Sequence, residues 1–363
     1  MSSLSERDAA TDDLLADIVA IAEIPAPTFH EELRLDWLEA RLAALRGTRT
    51  RDAAGNLVWR FGDSPPRILV TAHVDTVFPD DVPLGVRHHD GRLTGPGVGD
   101  NAAAIATVIG VVQELIAEGS VDIGAAAVAF TVGEEGLGNL HGAHAVCEAL
   151  RPATLIALEG HGLGSIYADA VGSLRALVVV EGPGGHSWVD RNGPSAVHAL
   201  LALGTHLVGL RTPEAPVNIG IVAGGRSVNA IASEACLHVE IRALDEQPID
   251  GFLRELERLS VEAPLTIRIE EKGRRPAGRL QRDAPLLRVV QDVRAELGLP
   301  IELSAASTDA NAALLLSVPA LALGVANGGG MHTVDEWIDV ESLARGRLQL
   351  SLVLRRLLSA VPS

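Results

Sequence analysis

Apolar residues recur along this chain in two rhythms, and the alternation between them outlines a fold. Over residues 10 to 46, Leu14, Leu15, Ile18 and Ile21, then Leu33, Trp37, Leu38 and Leu42, fall at three- and four-residue spacing, which predicts helix. Pro25-Ala-Pro27-Thr divides the stretch in two, because proline cannot continue the helical hydrogen bonding. Residues 56–61 predict a strand and Asp63-Ser-Pro-Pro66 a turn. Arg67 to Ala72, Ile123 to Val132 and Pro152 to Leu158 are short apolar runs bounded by turn residues, as expected of strands buried on both faces. Between them lie a loop or irregular hairpin over 80–99, a helix from Asn101 to Ala117 whose N-terminus is at Asp100, and a helix from Leu140 to Leu150. Strands alternating with helices predict an α/β fold with a mostly parallel sheet flanked by helices.

The rhythm changes after residue 172. Ser173 to Glu181 and Ala235 to Leu244 predict strands, and Pro194 to Leu210 and Ile249 to Leu259 predict helices. Val261 to Lys272 alternates again, so residues 173–281 form an inserted α+β domain. The α/β pattern resumes with a helix from Pro285 to Leu297 and a buried strand over Pro319 to Gly324. A larger domain, 1–172 with 282–363, therefore carries the smaller one as an insertion.

Composition narrows the function. With 363 residues, 47% of them hydrophobic, the chain can bury a large core, which Ala, Val and Leu must fill because 3% are aromatic. A net charge of −17 argues against nucleic acid, which needs clustered Lys and Arg. Cys147 and Cys236 are too few for a disulfide framework. The start, Met1 to Asp8, lacks the basic and apolar regions of a signal peptide, and no uncharged apolar run approaches the ~20 residues of a membrane span. A cytoplasmic protein is expected.

Candidate chemistry collects where apolar runs end. His73 and Asp75 lie two apart at a strand end, so both side chains face one way. The pair suits a ligand beside a carboxylate that orients it or holds the catalytic base, and equally a satisfied core histidine. Asp100 follows Gly95-Pro-Gly-Val-Gly, which lacks the spacing of a phosphate loop, and can serve as a helix cap. Glu134 and Glu135 follow a buried strand, where adjacent carboxylates cost desolvation unless a cation compensates. One can ligate a metal while the other takes a proton from metal-bound water. Glu159 repeats the arrangement, and His332 lies just past another buried strand. Core packing explains any one of these positions but hardly the whole set.

The order His73-x-Asp75, Gly-x-Gly-x-x-Asp100, Glu134-Glu135-Gly, Glu159 and a late His332-Thr resembles the glutamate carboxypeptidase and aminoacylase family of dinuclear metallopeptidases and amidohydrolases. The resemblance covers nearly the whole chain. It implies two divalent ions, zinc first, with cobalt or manganese as alternatives. His73 and Glu159 would hold one ion, Glu135 and His332 the other, and Asp100 would bridge them. Asp75 would support His73, and Glu134 would act as general base and acid on a water bridging the metals. The Asp100–Asn101 peptide would be cis. Gly184-Gly-His186-Ser-Trp188 is similar to the family's lid motif, whose histidine enters the neighbouring subunit's site and stabilises the oxyanion. Asn229 and Arg242 match the segments that grip a substrate carboxylate, for which the arginine fork is suited. From the residues alone, His186 is a loop histidine beside a glycine turn and Arg242 a strand-surface arginine. Ser307-Thr-Asp309-Ala-Asn311 is similar to a pocket segment of the tripeptidase branch.

These implications make the protein a hydrolase of an amide bond in a small peptide or N-acyl amino acid, and a homodimer through the inserted domain, with no nucleic-acid or membrane partner. Glu at position 159 is associated in the family with carboxypeptidases and deacylases. The Glu134–Ala143 and Ser307–Asp309 segments are closer to tripeptide aminopeptidases. A catalytically inactive binding protein on the same scaffold is the alternative from another class, and a third possibility is an inserted domain that dimerises without contributing chemistry.

Overall fold

The computed structural model describes residues 4–359, with side chains described from residue 12 onward. The reading of Met1–Asp8 as lacking the features of a signal peptide therefore begins outside the described residues. The chain forms two compact units: one comprises the chain up to Ala170 and from Arg279 onward, the other Val171–Gly278.

In the first unit a sheet runs in the order Thr48–Arg51, Leu57–Arg60, Ala126–Thr131, Ile68–His73, Thr154–Glu159, Ala320–Gly324 and Ser165–Ala170. The central four strands are parallel to one another, and the strand Glu302–Ala306 joins Ser165–Ala170 in parallel. Ile68–His73 and Ala126–Thr131 are buried at every residue, which is why they read as continuous apolar runs. Helices Leu4–Ala22, Ala104–Glu118, Pro285–Leu297 and Val340–Ser359 share one core with Ile68, Val70, Val128 and Ile156. Alanines do much of the packing, as at Ala102, Ala103 and Ala104, so this core is close-set and intolerant of added volume. His141–Leu150 and Ala310–Leu315 pack with Leu69, Ala127 and Leu155 in a second cluster.

One expectation needs correction here. The helix after Asp100 begins as an irregular turn over Val98–Ala103, and regular α-helix starts at Ala104. The Asp100 and Asn101 dihedrals are non-helical, the peptide between them is cis, and the cap positions are Gly97 for the turn and Ala103 for the helix. Val98–Glu118 is long and apolar enough by length and composition to cross a membrane, but it carries Asp100, Glu114 and Glu118 and is 72% buried as an internal helix, so no uncharged run of that length occurs in it.

The expected irregular hairpin consists of Arg87–His89 and Arg92–Thr94, joined at Asp90-Gly91 with both residues left-handed, as a tight two-residue turn requires. It pairs with Trp337–Asp339, which pairs with Gly328–Gly329. This small sheet carries residues 328–339 to the loop that precedes Asp100.

The second unit is a four-stranded antiparallel sheet, Val217–Gly224, Glu234–Ala243, Gly172–Glu181 and Thr266–Arg275. Helices Ala196–Gly209 and Glu246–Arg258 cover one face, burying Leu200, Leu207, Phe252 and Leu256 against Val178, Leu237 and Val239. Alternate burial along Glu234–Ala243 records that one-sided covering.

Candidate metal centre

Parallel register explains why residues distant in sequence meet. His73 stands opposite Thr131, and Thr71 opposite Ala157, so His73, the Glu134–Glu135 turn and Glu159 all emerge at the carboxyl ends of adjacent strands. His73 Nε2 lies 2.9 Å from Asp100 Oδ1 and 3.8 Å from Glu159 Oε2. His332 Nε2 lies 3.1 Å from Asp100 Oδ2 and 3.2 Å from Glu135 Oε1. Two donor groups result, His73–Asp100–Glu159 and Asp100–Glu135–His332, each with its ligand atoms within 4.8 Å of one another. Asp100 belongs to both and turns one oxygen to each histidine. Glu134 is buried and forms a further such group with His73 and Glu135.

Asp75 does more than stand beside His73. The nearest acceptor to His73 Nδ1 is the main-chain carbonyl of Asp75 at 3.1 Å, with the carboxylate at 3.5 Å. The carboxylate also accepts the main-chain N–H groups of Glu134 at 3.0 Å and Glu135 at 2.9 Å, and the hydroxyl of Thr28 at 2.9 Å. Asp75 thus holds the acidic turn in place while its main chain fixes the His73 ring.

Electrostatics reflect crowded negative charge. Burial alone would lower the His73 imidazole, but hydrogen bonds with Asp100, Asp75 and Glu159 hold it well above its usual value. Bonds to Asp100 and Glu135 push His332 up to about 10. Burial, only partly opposed by His73, raises Glu159 to about 7. Asp100 is buried too, yet His332 and His73 keep it well below the usual carboxylate range.

Further residues complete the cradle, of which only Asp309 lies in a segment singled out from the sequence. Arg34 is buried and donates to the carbonyls of Val74 at 2.7 Å and Ile24 at 2.8 Å, and burial lowers it to about 10. Glu31 accepts the N–H groups of Phe29 and Gly133, bracing the turn before Glu134. Glu336 accepts from the loop before Asp100. Asp309 is buried with Oδ2 on the Thr131 hydroxyl at 2.7 Å, and burial raises it. Neither Arg34, an arginine within an amphipathic helix, nor the acceptors of main-chain N–H groups stand out in the sequence.

In the second unit His186 and Asn229 lie together: Gly185–His186 pairs with Ala230–Ile231, and the Ser187 N–H donates to the Asn229 carbonyl at 3.0 Å. His186 Nδ1 accepts the N–H groups of Trp188 at 3.1 Å and Val189 at 3.3 Å. Arg242 is elsewhere. It pairs in register with Ser173, and its Nε donates to Glu240 at 3.0 Å. Eight residues separate it from the start of its strand at Glu234, about 26 Å at ~3.3 Å each. Asn229 precedes that start, so within one chain the two residues cannot grip the same carboxylate.

A strand-end cluster of histidines and carboxylates with one shared aspartate, on a parallel sheet carrying an inserted antiparallel unit, defines a metallohydrolase of the peptidase type. The chain belongs to peptidase family M20/M25/M40, whose model matches residues 69–356, and it is accordingly a hydrolase. It is 28% identical over 368 residues to a succinyl-diaminopimelate desuccinylase of Maricaulis maris, covering 89% of this chain and 90% of the relative. A tripeptidase from Staphylococcus aureus superposes with a TM-score of 0.82 at 21% identity, covering 96% of this chain and 99% of the other. A dinuclear metal-binding M20 peptidase of Bacillus subtilis gives a TM-score of 0.69 at 17% identity, covering 98% and 100%. The last two are likenesses of fold.

Proposed function

We propose that this protein is a two-metal deacylase or carboxypeptidase, hydrolysing the amide bond of an N-acyl amino acid or small peptide that bears a free carboxylate. The shared Asp100 carries the reading, because two donor groups that meet at one carboxylate suit a pair of ions. Imidazole nitrogens with carboxylate oxygens match zinc first, and cobalt or manganese next. Asp75, Asp100, Glu134, Glu135 and Glu159 outnumber the cationic partners His73, His332 and Arg34, so the cluster calls for added positive charge.

In this reading His73 and Glu159 would hold one ion, Glu135 and His332 the other, and Asp100 would be shared between them. Bound there, the ions would make water more acidic and polarise the scissile carbonyl. Glu134 takes the proton of the attacking water and delivers it to the departing amine nitrogen. Asp75 keeps Glu134 aimed through its main-chain N–H. His186 acts as a donor: with Nδ1 accepting main-chain N–H groups, the neutral ring carries its proton on Nε2, which can meet the developing oxyanion.

A homodimer belongs to the same reading. The edge strand Val217–Gly224 exposes Ile221 and Val222, and the helix Ala196–Gly209 exposes Leu201, a surface a second copy would cover. His186 would then serve the partner's site. A cytoplasmic location is part of this proposal, tested by cell fractionation.

The second reading, a tripeptide aminopeptidase, rests on the Glu134–Ala143 and Ser307–Asp309 segments. Turnover of N-succinyl and N-acetyl amino acids against free-amino tripeptides by the metal-loaded enzyme separates the two. Glu134→Gln with both ions bound should lose about 10²–10⁴-fold in kcat, and wild-type turnover in that variant would overturn the mechanism.

A further inference from the structure

We propose that Glu336 is a positioning residue for Asp100 and thereby sets the affinity of the centre for its second ion. The proposal rests on the two-metal reading above. Glu336 is fully buried, and its carboxylate is spent on the loop that delivers Asp100. Oε1 accepts the main-chain N–H groups of Gly99 at 2.9 Å and Asp100 at 2.7 Å, and Oε2 accepts that of Gly97 at 2.9 Å. The same Oε1 lies 2.7 Å from His161 Nε2. The Glu336 main-chain carbonyl accepts the Gly95 N–H at 2.8 Å, so the loop is held from Gly95 to Asp100 by one residue.

This residue joins three stretches that bear proposed ligands. One is the loop ending at Asp100, the second is Glu159 to His161, and the third is His332 to Glu336 itself. Gly99 and Gly160 make the joint possible. A Cβ on Gly99 would strike His161 and Glu336, and one on Gly160 would strike the Gly99 carbonyl. A loop this rich in glycine is costly to order, and a buried anion facing three N–H donors is a strong fixed point for it. Glu336 is not itself a ligand, since its oxygens are occupied and it belongs to neither donor group.

The consequence falls unevenly on the two ions. Asp100 Oδ1 faces His73, whose ring is buried and braced by the Asp75 carbonyl. Oδ2 faces His332, half-exposed and at a left-handed φ of 64°. Slack in the loop is therefore felt first by the ion between His332 and Glu135.

The test is zinc binding to full-length Glu336→Gln, measured by chelator competition, with the visible spectrum of the cobalt-loaded protein as a second readout. Glutamine keeps the volume but turns an NH₂ group towards N–H donors. The first ion should bind as in wild type and the second roughly 10–100-fold more weakly. The cobalt spectrum should change, and kcat should fall at limiting metal while KM holds. Glu336→Asp keeps the charge but is too short to reach Gly97 and His161 together, so it should only partly restore the second site. A folded Gln variant that binds both ions with wild-type affinity and gives a wild-type cobalt spectrum overturns the proposal. Wild-type protein that binds no second ion overturns the two-metal reading instead. Should the Gln variant not fold, the Asp variant and His161→Asn carry the test, and unchanged second-ion affinity in both refutes the assignment.

Discussion

The two units hold their candidate functional residues in opposite ways. In the first, His73, Asp75, Asp100, Glu134 and Glu135 are buried or braced at strand ends, and Arg34, Glu31 and Glu336 fix the main chain around them. In the second, His186, Asn229 and Arg242 are exposed and held mainly by near neighbours such as Trp188, Ser227 and Glu240. The first arrangement suits groups that must keep a geometry fixed through turnover. The second suits groups that meet a substrate or another subunit. Substitutions in the first should alter metal content, whereas those in the second should leave it intact and change turnover or KM.

The largest expected effect is therefore at the shared carboxylate. Asp100→Ala removes a ligand from both ions at once, so metal content should fall towards zero and activity should be abolished. A variant that kept two ions would break the assignment of Asp100 as bridge. His186→Ala should retain both ions and lose about 10²–10³-fold in kcat, the cost of one oxyanion donor. Mixing refolded His186→Ala and Glu134→Gln chains sharpens the point. If His186 serves the partner's site, half the dimers regain one intact site, giving roughly a quarter of wild-type activity. If it serves its own chain, the mixture stays inactive.

Part of this contrast could be read in the sequence. His73, Asp100, Glu134, Glu135, Glu159 and His332 announce themselves because each is a ligand-type residue beside an apolar run or a glycine turn. The central strands are legible for the same reason. Glu336, Glu31 and the new part of Asp75 are not, because their partners are main-chain N–H groups, which every sequence supplies. Arg34 is masked by its helical position among Leu33, Leu35 and Leu38, where an arginine is expected on the wet face. Ser165–Ala170 and Glu302–Ala306 escape because they are short and mix small and polar residues into their pattern. The helix Val340–Ser359 buries Gln349 on Arg294 and Ser351 on Glu114, which blurs its apolar stripe. The separation of Asn229 from Arg242 is a matter of strand length, and it shows only once the strand's ends are known.

Smaller effects come from pH. Without metal, Asp100 and its neighbouring carboxylates hold His73 and His332 protonated at neutral pH, and Glu159 near half-protonation. Ligands must shed those protons to bind. Loading zinc at pH 7 in weak buffer should release roughly two to three protons per chain, read by an indicator dye. Because both imidazoles are raised, they stay protonated well above pH 7, and affinity should strengthen as pH rises. Between pH 8 and 6 each ion should bind about tenfold more weakly per unit. Loading without proton release would mean that these histidines are not the ligands.

The smallest effect tests the exposed unit where its function is hardest to tell from ordinary surface pairing. Arg242 shares Glu240 with Arg175, whose Nε donates to Oε1 at 2.8 Å while Arg242 takes Oε2. Those two arginines hold the half-buried Glu240 carboxyl below its usual value despite the burial that would raise it. Arg175 would keep Glu240 paired if Arg242 were lost, and exposed ion pairs contribute about 0–1 kcal/mol, so Arg242→Ala should hardly change Tm. A loss in catalysis would therefore reflect a missing contact with substrate. We expect KM for an N-acyl amino acid to rise about tenfold with kcat nearly unchanged, the loss of one exposed charge contact that binds ground and transition states alike. The corresponding C-terminal amide should be unaffected, and Arg242→Lys should recover only part of the loss because lysine lacks the fork. Equal KM values for acid and amide in wild type would remove Arg242 from substrate recognition and leave it as a partner of Glu240.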